Sequence, residues 1–213
     1  MNRSEQRIPK LRTRGRENRR KLLKEARRLL HEGGDGAMKF SDVFEAASVS
    51  RGSAYRIYIG IDDLMQDLSS EWINNFVAFM RAMDGEEPID QWTELSDILV
   101  IRGAEYWAET ADTLRVLSRV RSNTPASYRA AVGDLSYCLA GIFDCYFVMP
   151  EIPGWLSKMA FFVQICDITY ADSVREEGSI GQHRLAEAQA MCRTYLAFYL
   201  PTSLPARLQD STA

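Results

Sequence analysis

The stretch "ASVSRGSAYRIY", residues 47–58, decides the fold. It holds two arginines, two tyrosines and three serines, too polar for a core element, yet Ser50 is placed to cap a short helix running from about Arg51 to Tyr58. Upstream, Val43, Phe44, Ala46 and Ala47 supply the apolar set of another short helix from about Ser41, which is a plausible N-cap, although Lys39 can equally stand at the boundary. Between them "SVS" leaves a three-residue connection. Before both, Leu22, Leu23, Ala26, Leu29 and Leu30 recur at spacings of three and four and define a longer amphipathic helix from about Glu17, closed by "EGGDG" at 32–36. A long helix followed by two short ones with a tight turn is a helix-turn-helix, whose second helix enters the major groove of DNA.

The residue types at 50–58 suit that task. Arg51 opens the second helix, and arginine pairs with guanine O6 and N7; Ser53 can bond to a base or a phosphate. Gly52 and Ala54 are small enough for close backbone approach. Tyr55, Arg56 and Tyr58 carry hydroxyl or guanidinium groups that can reach phosphates, though packing inside the small domain is open for both tyrosines. The candidate DNA-binding set is Arg14, Arg16, Ser41, Ser50, Arg51, Gly52, Ser53, Ala54, Tyr55, Arg56 and Tyr58.

Charge distribution points the same way. The chain of 213 residues has a formal net charge of -3. Residues 1–60 hold 15 Lys+Arg against 7 Asp+Glu, a net of +8, and the remainder, with 11 against 22, carries -11. A basic head on an acidic body offers only the head to a polyanion. Residues 1–16, with Pro9, Gly15 and several arginines, read as a flexible basic arm. Residues 17–61 form the helix-turn-helix domain, and 62–200 a second domain of helices at about 62–83, 89–110, 112–122, 125–147, 154–177 and 180–200. Residues 84–88 read as a linker and 201–213 as a disordered tail. The fold class is all-α. There is no membrane-length apolar run and no secretory signal. Cys138, Cys145, Cys166 and Cys192 all lie in apolar helical stretches without a CxxC pair, which reads as buried free thiols in a reducing cytoplasm.

Residues 43–64, "VFEAASVSRGSAYRIYIGIDDL", resemble the DNA-binding signature of the TetR family of transcriptional regulators. Val43 and Phe44 stand where that signature has an Ile-Ala pair. Ala47, Val49 and Ser50 match its turn, Gly52 to Tyr55 its recognition helix, Tyr58 its second aromatic, and Leu64 the leucine of the connecting helix. The match spans about a quarter of the chain, from about Arg16 to Leu68; beyond it only length and helical pattern agree. Two departures stand out. Ser48 replaces the turn glycine, so a residue with a Cβ is expected at positive φ. Ile61 replaces a lysine that commonly binds phosphate at the start of the fourth helix, a loss that Arg12, Arg14 and Arg16 could offset.

The resemblance implies a homodimeric repressor on a palindromic double-stranded DNA operator. A ligand among the central helices would move the connecting helix and change the separation of the two DNA heads. It also implies a dimer seam in the last two helices, where Leu185, Ala188, Cys192, Tyr195, Leu196 and Tyr199 form one stripe and Met159, Phe162, Val163, Cys166 and Tyr170 the other, with intramolecular core as the competing reading.

The central helices are rich in large rings. An apolar small-molecule ligand is expected between helices carrying Trp72, Phe76, Trp107, Tyr137 and Phe161, oriented by Gln164, the alternative being a filled core. Asn75, Asp167 and Thr169 are further polar residues stranded in apolar stretches. No catalytic triad order, HExxH or glycine-rich phosphate loop occurs, so no catalytic residue, metal ligand or cofactor is assigned; His183 beside Asp172, Glu176 or Glu187 reads as a solvated helix-end histidine. A helical-bundle enzyme and a basic-arm protein–protein adaptor are the rival function classes.

Overall fold

In a computed structural model, residues 13–33, 38–82, 89–108 and 126–207 are described. They contain α1 (Thr13–Gly33), α2 (Phe40–Ala46), α3 (Arg51–Ala54), α4 (Ile61–Arg81), α5 (Trp92–Ala108), α6 (Ala126–Tyr146), α7 (Trp155–Glu177) and α8 (Gln182–Ala197). The expected helix at 112–122, the linker at 84–88 and residues 1–12 and 208–213 lie outside the described residues. The chain divides into two compact units, Met1–Leu68 and Ser69–Ala213, with α4 continuous through the boundary.

In the first unit, α1 buries Leu22, Leu23, Ala26 and Leu30 along one stripe, as its 3.6-residue periodicity requires. They meet Phe40 and Val43 of α2, Val49, Ala54, Tyr58, and Leu64 and Leu68 of α4 in the core. The first helix begins at Thr13, so Arg14 and Arg16 are helical and not part of an unstructured arm. Lys39 occupies the N-cap of α2, not Ser41: the Asp42 carboxylate accepts the Lys39 backbone N–H at 3.0 Å, and Ser41 Oγ only donates to Asp42 Oδ1 at 3.1 Å.

The end of α2 explains the connection to α3. The N–H of Val49 reaches Phe44 O at 2.9 Å and that of Ser48 reaches Glu45 O at 3.0 Å. These two bonds form a Schellman motif, which needs a left-handed residue after the cap. Ser48 is that residue, with φ 52, as its place in the turn predicts. A Cβ in this region costs about 1 kcal/mol, which the two bonds and the burial of Val49 outweigh.

In the second unit, α7 packs on both α6 and α8, and α5 packs on α8. Its core includes Leu95, Phe143, Phe147, Met159, Phe162, Tyr170, Cys192 and Leu196. Tyr170 is buried and donates to Val100 O at 2.6 Å; a Cβ on Gly103 would come within 3.3 Å of the same hydroxyl, so the absent side chain leaves room for the ring. Residues 201–207 are not a loose tail. Val148 N donates to Pro205 O and Arg207 N to Tyr146 O, each at 2.8 Å, Trp92 Nε1 donates to Pro201 O, and Leu204 is buried. Cys145 is exposed, against expectation, while Cys138, Cys166 and Cys192 are buried. It lies on the outer face of α6, which sequence hydropathy alone does not distinguish from the inner one.

Candidate nucleic-acid interface and internal cavity

The turn after α2 aims the start of α3 outward. Ser50 is the N-cap residue; its carbonyl accepts the N–H groups of Ser53 and Ala54, each at 2.9 Å, and its Oγ bonds to Ser53 Oγ at 2.9 Å. Ser50, Arg51 and Gly52 are exposed and Ser53 half-buried. The Arg51 guanidinium lies 5.6 Å from the centre of the Tyr55 ring, a cation–π contact that restricts the arginine without occupying its N–H donors. Tyr55, 47% exposed, leans edge-on against Phe40 at 5.2 Å, so its ring packs while its hydroxyl end stays accessible. Arg56 is also exposed.

Two members of the expected set point inward. Ala54 is fully buried. Tyr58 is 4% exposed, and its hydroxyl donates to Asp67 Oδ2 at 2.5 Å. The same carboxylate receives Arg19 through two bonds, Nε to Oδ2 at 2.7 Å and Nη2 to Oδ1 at 2.6 Å. Burial, then the bond to Asp67, pushes the Tyr58 hydroxyl well above its ordinary pKa, so it remains a neutral donor. Arg19, Asp67 and Tyr58 therefore tie α1, α4 and the end of the α3 turn together. α3 has 4 residues, and the N–H groups of Ile57 and Tyr58 both reach Ala54 O, which keeps Tyr58 one helical turn beyond buried Ala54 and on the same inward face. Arg14 and Arg16 are exposed on α1.

Among the described residues of the second unit, large rings close on one another. Phe76 lies 4.9 Å from Tyr106 and 5.3 Å from Trp107, and the Tyr106 hydroxyl donates to Trp72 O at 3.2 Å. A cavity of about 20 Å³ remains, lined among others by Phe76, Gly103, Trp107, Cys166, Asp167 and Tyr170. That is room for about one water. Of the expected ligand set, Phe76 and Trp107 line it, and Trp72 is buried elsewhere. Tyr137 (69% exposed), Phe161 (48% exposed) and Gln164 face solvent and do not join them. Helical phase is the reason: on α7 the inward stripe is Met159, Phe162, Val163, Cys166 and Tyr170, a step of one residue from Phe161. Asp167 was recognisable as a stranded polar residue, and Thr169 satisfies its hydroxyl on Ile165 O at 2.8 Å.

The stripes expected to form a dimer seam are mostly intramolecular core. Met159, Phe162, Tyr170, Ala188, Cys192 and Leu196 are buried within one chain. The Cys166 and Cys192 sulfurs lie 3.6 Å apart, and the hydrogen bond with Cys166, then burial, raises the Cys192 thiol far above the usual range. Further apolar residues of the same two helices stay exposed: Leu156, Phe161 and Ile168 on α7, and Met191 on α8 with Phe198 just beyond it. No helix among the described residues is long and apolar enough to cross a membrane.

No family model matches the chain, and no curated protein sequence does. Solved structures do share its fold. A TetR-family transcriptional regulator from Streptomyces coelicolor is similar with TM-score 0.67 at 17% identity, covering 86% of this chain and 99% of its own. Thermus thermophilus FadR, a TetR-family transcriptional repressor in complex with lauroyl-CoA, is similar with TM-score 0.64 at 20% identity, covering 92% and 99%. A TetR transcription regulator from Haloarcula marismortui is similar with TM-score 0.62 at 14% identity, covering 87% and 100%. The chain thus has the all-helical fold of TetR-type regulators over most of its length.

Proposed function

We propose that the protein is a TetR-like, ligand-responsive transcriptional regulator that binds DNA as a homodimer and, as a repressor, leaves a palindromic operator when a small molecule binds. The observation that carries this reading is the exposed edge Ser50–Arg51–Gly52 with half-buried Ser53 beside it, flanked by a Schellman turn on one side and by the Arg19–Asp67–Tyr58 network on the other. Arg51 reads a base edge, Ser53 contacts base or phosphate, and Tyr55 and Arg56 set the register on phosphates. Ala54 and Tyr58 support this edge from inside. Regulation of transcription places the protein in the cytoplasm with the DNA.

The dimer forms through the outer faces of α7 and α8. Both helices already use one apolar side within their own chain, and Phe161 and Ile168 on α7, Met191 on α8 and Phe198 just beyond it need a second surface to leave water. A C2 pairing of two such helices per chain produces a four-helix seam.

The ligand site develops from the small cavity. Its lining is largely apolar, so an apolar molecule suits it, with Asp167 the charged group at its wall in place of Gln164. Among the described residues this cavity holds about one water, so a ligand of ordinary size entering there separates the helices that line it. A ligand preferring the expanded state shifts the population toward it, as regulation requires. Lauroyl-CoA, bound by the Thermus thermophilus repressor, is an amphipathic occupant of this fold, with an apolar acyl chain on a charged coenzyme head.

The experiment is selection of bound sequences from a random DNA library with wild type and Arg51→Ala. A two-fold motif whose preference relaxes at one position per half-site in the variant supports the reading. Enrichment of no motif by the wild type would remove it.

A further inference from the structure

The cations of α1 are sorted by side. Along one side run Glu17, Lys21, Glu25, Arg28 and Glu32, and these pair with one another: Lys21 with Glu17 at 3.5 Å, Arg28 with Glu25 at 2.7 Å, and Arg28 with Glu32. The three glutamates are all the acids of α1. Along another side Arg16, Arg20 and Lys24 follow at i, i+4 and i+8, all exposed, with no ion pair among the described residues. Arg27 lies on the same side. Like charges at i, i+4 repel and weaken a helix, so this arrangement opposes the stability of α1, whereas the neighbouring side has the alternation that supports a helix.

The start of α4 shows the complementary pattern. Where the resembled signature has a phosphate-binding lysine stands Ile61, followed by Asp62 and Asp63. The Asp63 carboxylate is engaged in accepting the Ile59 backbone N–H at 3.0 Å. A half-buried isoleucine and two carboxylates give that helix start no side-chain cation for a phosphate.

We infer that Arg16, Arg20 and Lys24 form a phosphate-binding rail along the side of α1, which takes over the anchoring role that the start of α4 lacks. The partner is the sugar-phosphate backbone of double-stranded DNA beside the operator half-site. Three cations spaced by one turn cover ~12 Å of helix, a run of about three or four phosphates at ~3.4 Å of axial rise each. A membrane is a poorer partner, because every large apolar residue exposed beyond about a third lies outside α1, and interfacial helices need such residues beside their cations. The rail is sequence-independent, so it adds affinity for any duplex and leaves base preference to α3. This inference rests on the DNA-binding reading above.

The test compares wild type, the triple variant Arg16→Ala/Arg20→Ala/Lys24→Ala and the control Lys21→Ala/Arg28→Ala. Each is titrated with the selected operator and with random duplex across a salt series by fluorescence anisotropy, and their melting temperatures are measured in parallel. The expected result is a slope of log K against log[salt] that is shallower by up to ~0.9 per removed contact, about 2–3 for the triple variant, with similar loss on both duplexes and an unchanged motif. The control variant keeps the wild-type slope. A triple variant with intact melting and the wild-type slope on both duplexes overturns the rail. Failure of the underlying reading looks different: the wild type then enriches no DNA motif, and Arg51→Ala changes nothing.

Discussion

Gly52→Ala should make the protein more stable and a poorer DNA binder. A Cβ added at Gly52 meets nothing within 4 Å, and the residue is exposed with no left-handed φ. The fold has no steric need for glycine there, and glycine in a helix costs about 0.5–1 kcal/mol relative to alanine through the entropy of the unfolded chain. At the second position of a four-residue helix the lower end applies, about 0.5 kcal/mol. If the first unit melts independently, that gain raises its transition by about 2–4 °C. The opposite effect on DNA follows if backbone at position 52 lies against a base edge or phosphate. An added methyl then displaces α3 and costs about 1–3 kcal/mol, comparable with one mismatched base pair, or about 5- to 150-fold in Kd. Thermal melts and anisotropy titrations on the selected operator give both signs in one preparation. Operator affinity equal to wild type, with the melt raised, would show that position 52 does not touch DNA. A lowered melt would instead refute the account of the glycine itself.

Three further outcomes are expected. Ser48→Gly relieves the positive φ but enlarges unfolded-state entropy, for a net gain of between zero and about 1 kcal/mol, while Ser48→Val loses more than 1 kcal/mol; denaturant melts rank the two variants, and a valine variant as stable as wild type contradicts the Schellman geometry. Ile168→Glu with Phe198→Glu places charges on exposed positions and should yield folded monomers by analytical ultracentrifugation, whereas Leu196→Glu buries a charge and should unfold the chain; a stable dimer in the first variant moves the seam elsewhere. Tyr58→Phe removes a hydrogen bond to a carboxylate and should cost about 1.5–3 kcal/mol at neutral pH. Because the folded-state Tyr58 pKa is raised above the unfolded value of 10.0, its contribution is fully present below that pH and is lost as pH rises beyond it. Melts at pH 8 and 11 should therefore show a smaller alkaline loss in the variant than in wild type, and equal losses would argue against a buried neutral Tyr58.

The sequence by itself carried the all-helical class, the helix-turn-helix and the turn residue at positive φ. The positive φ at Ser48 is expected from the glycine that the resembled signature has there, while the first two depend on local physics, the apolar spacing along Leu22, Leu23, Ala26 and Leu30 and the short connection after α2. The outward residues Arg51 and Gly52 were legible for the same reason, being set by the start of one short helix. Inward and outward assignments beyond one turn were not. Tyr58 shares the inward face of Ala54, a face set by the packing of α1 and α2 on α3, and Phe161 and Gln164 face water because the phase of α7 is set by which neighbours it packs on. A helix with apolar residues all round does not announce which side its own chain covers; only the placement of α5, α6 and α8 decided that Leu196 and Phe162 are core while Phe198 and Ile168 remain exposed. The size of the cavity likewise depends on how rings from helices distant in sequence interlock, a property of the packed chain that no local pattern of residues encodes.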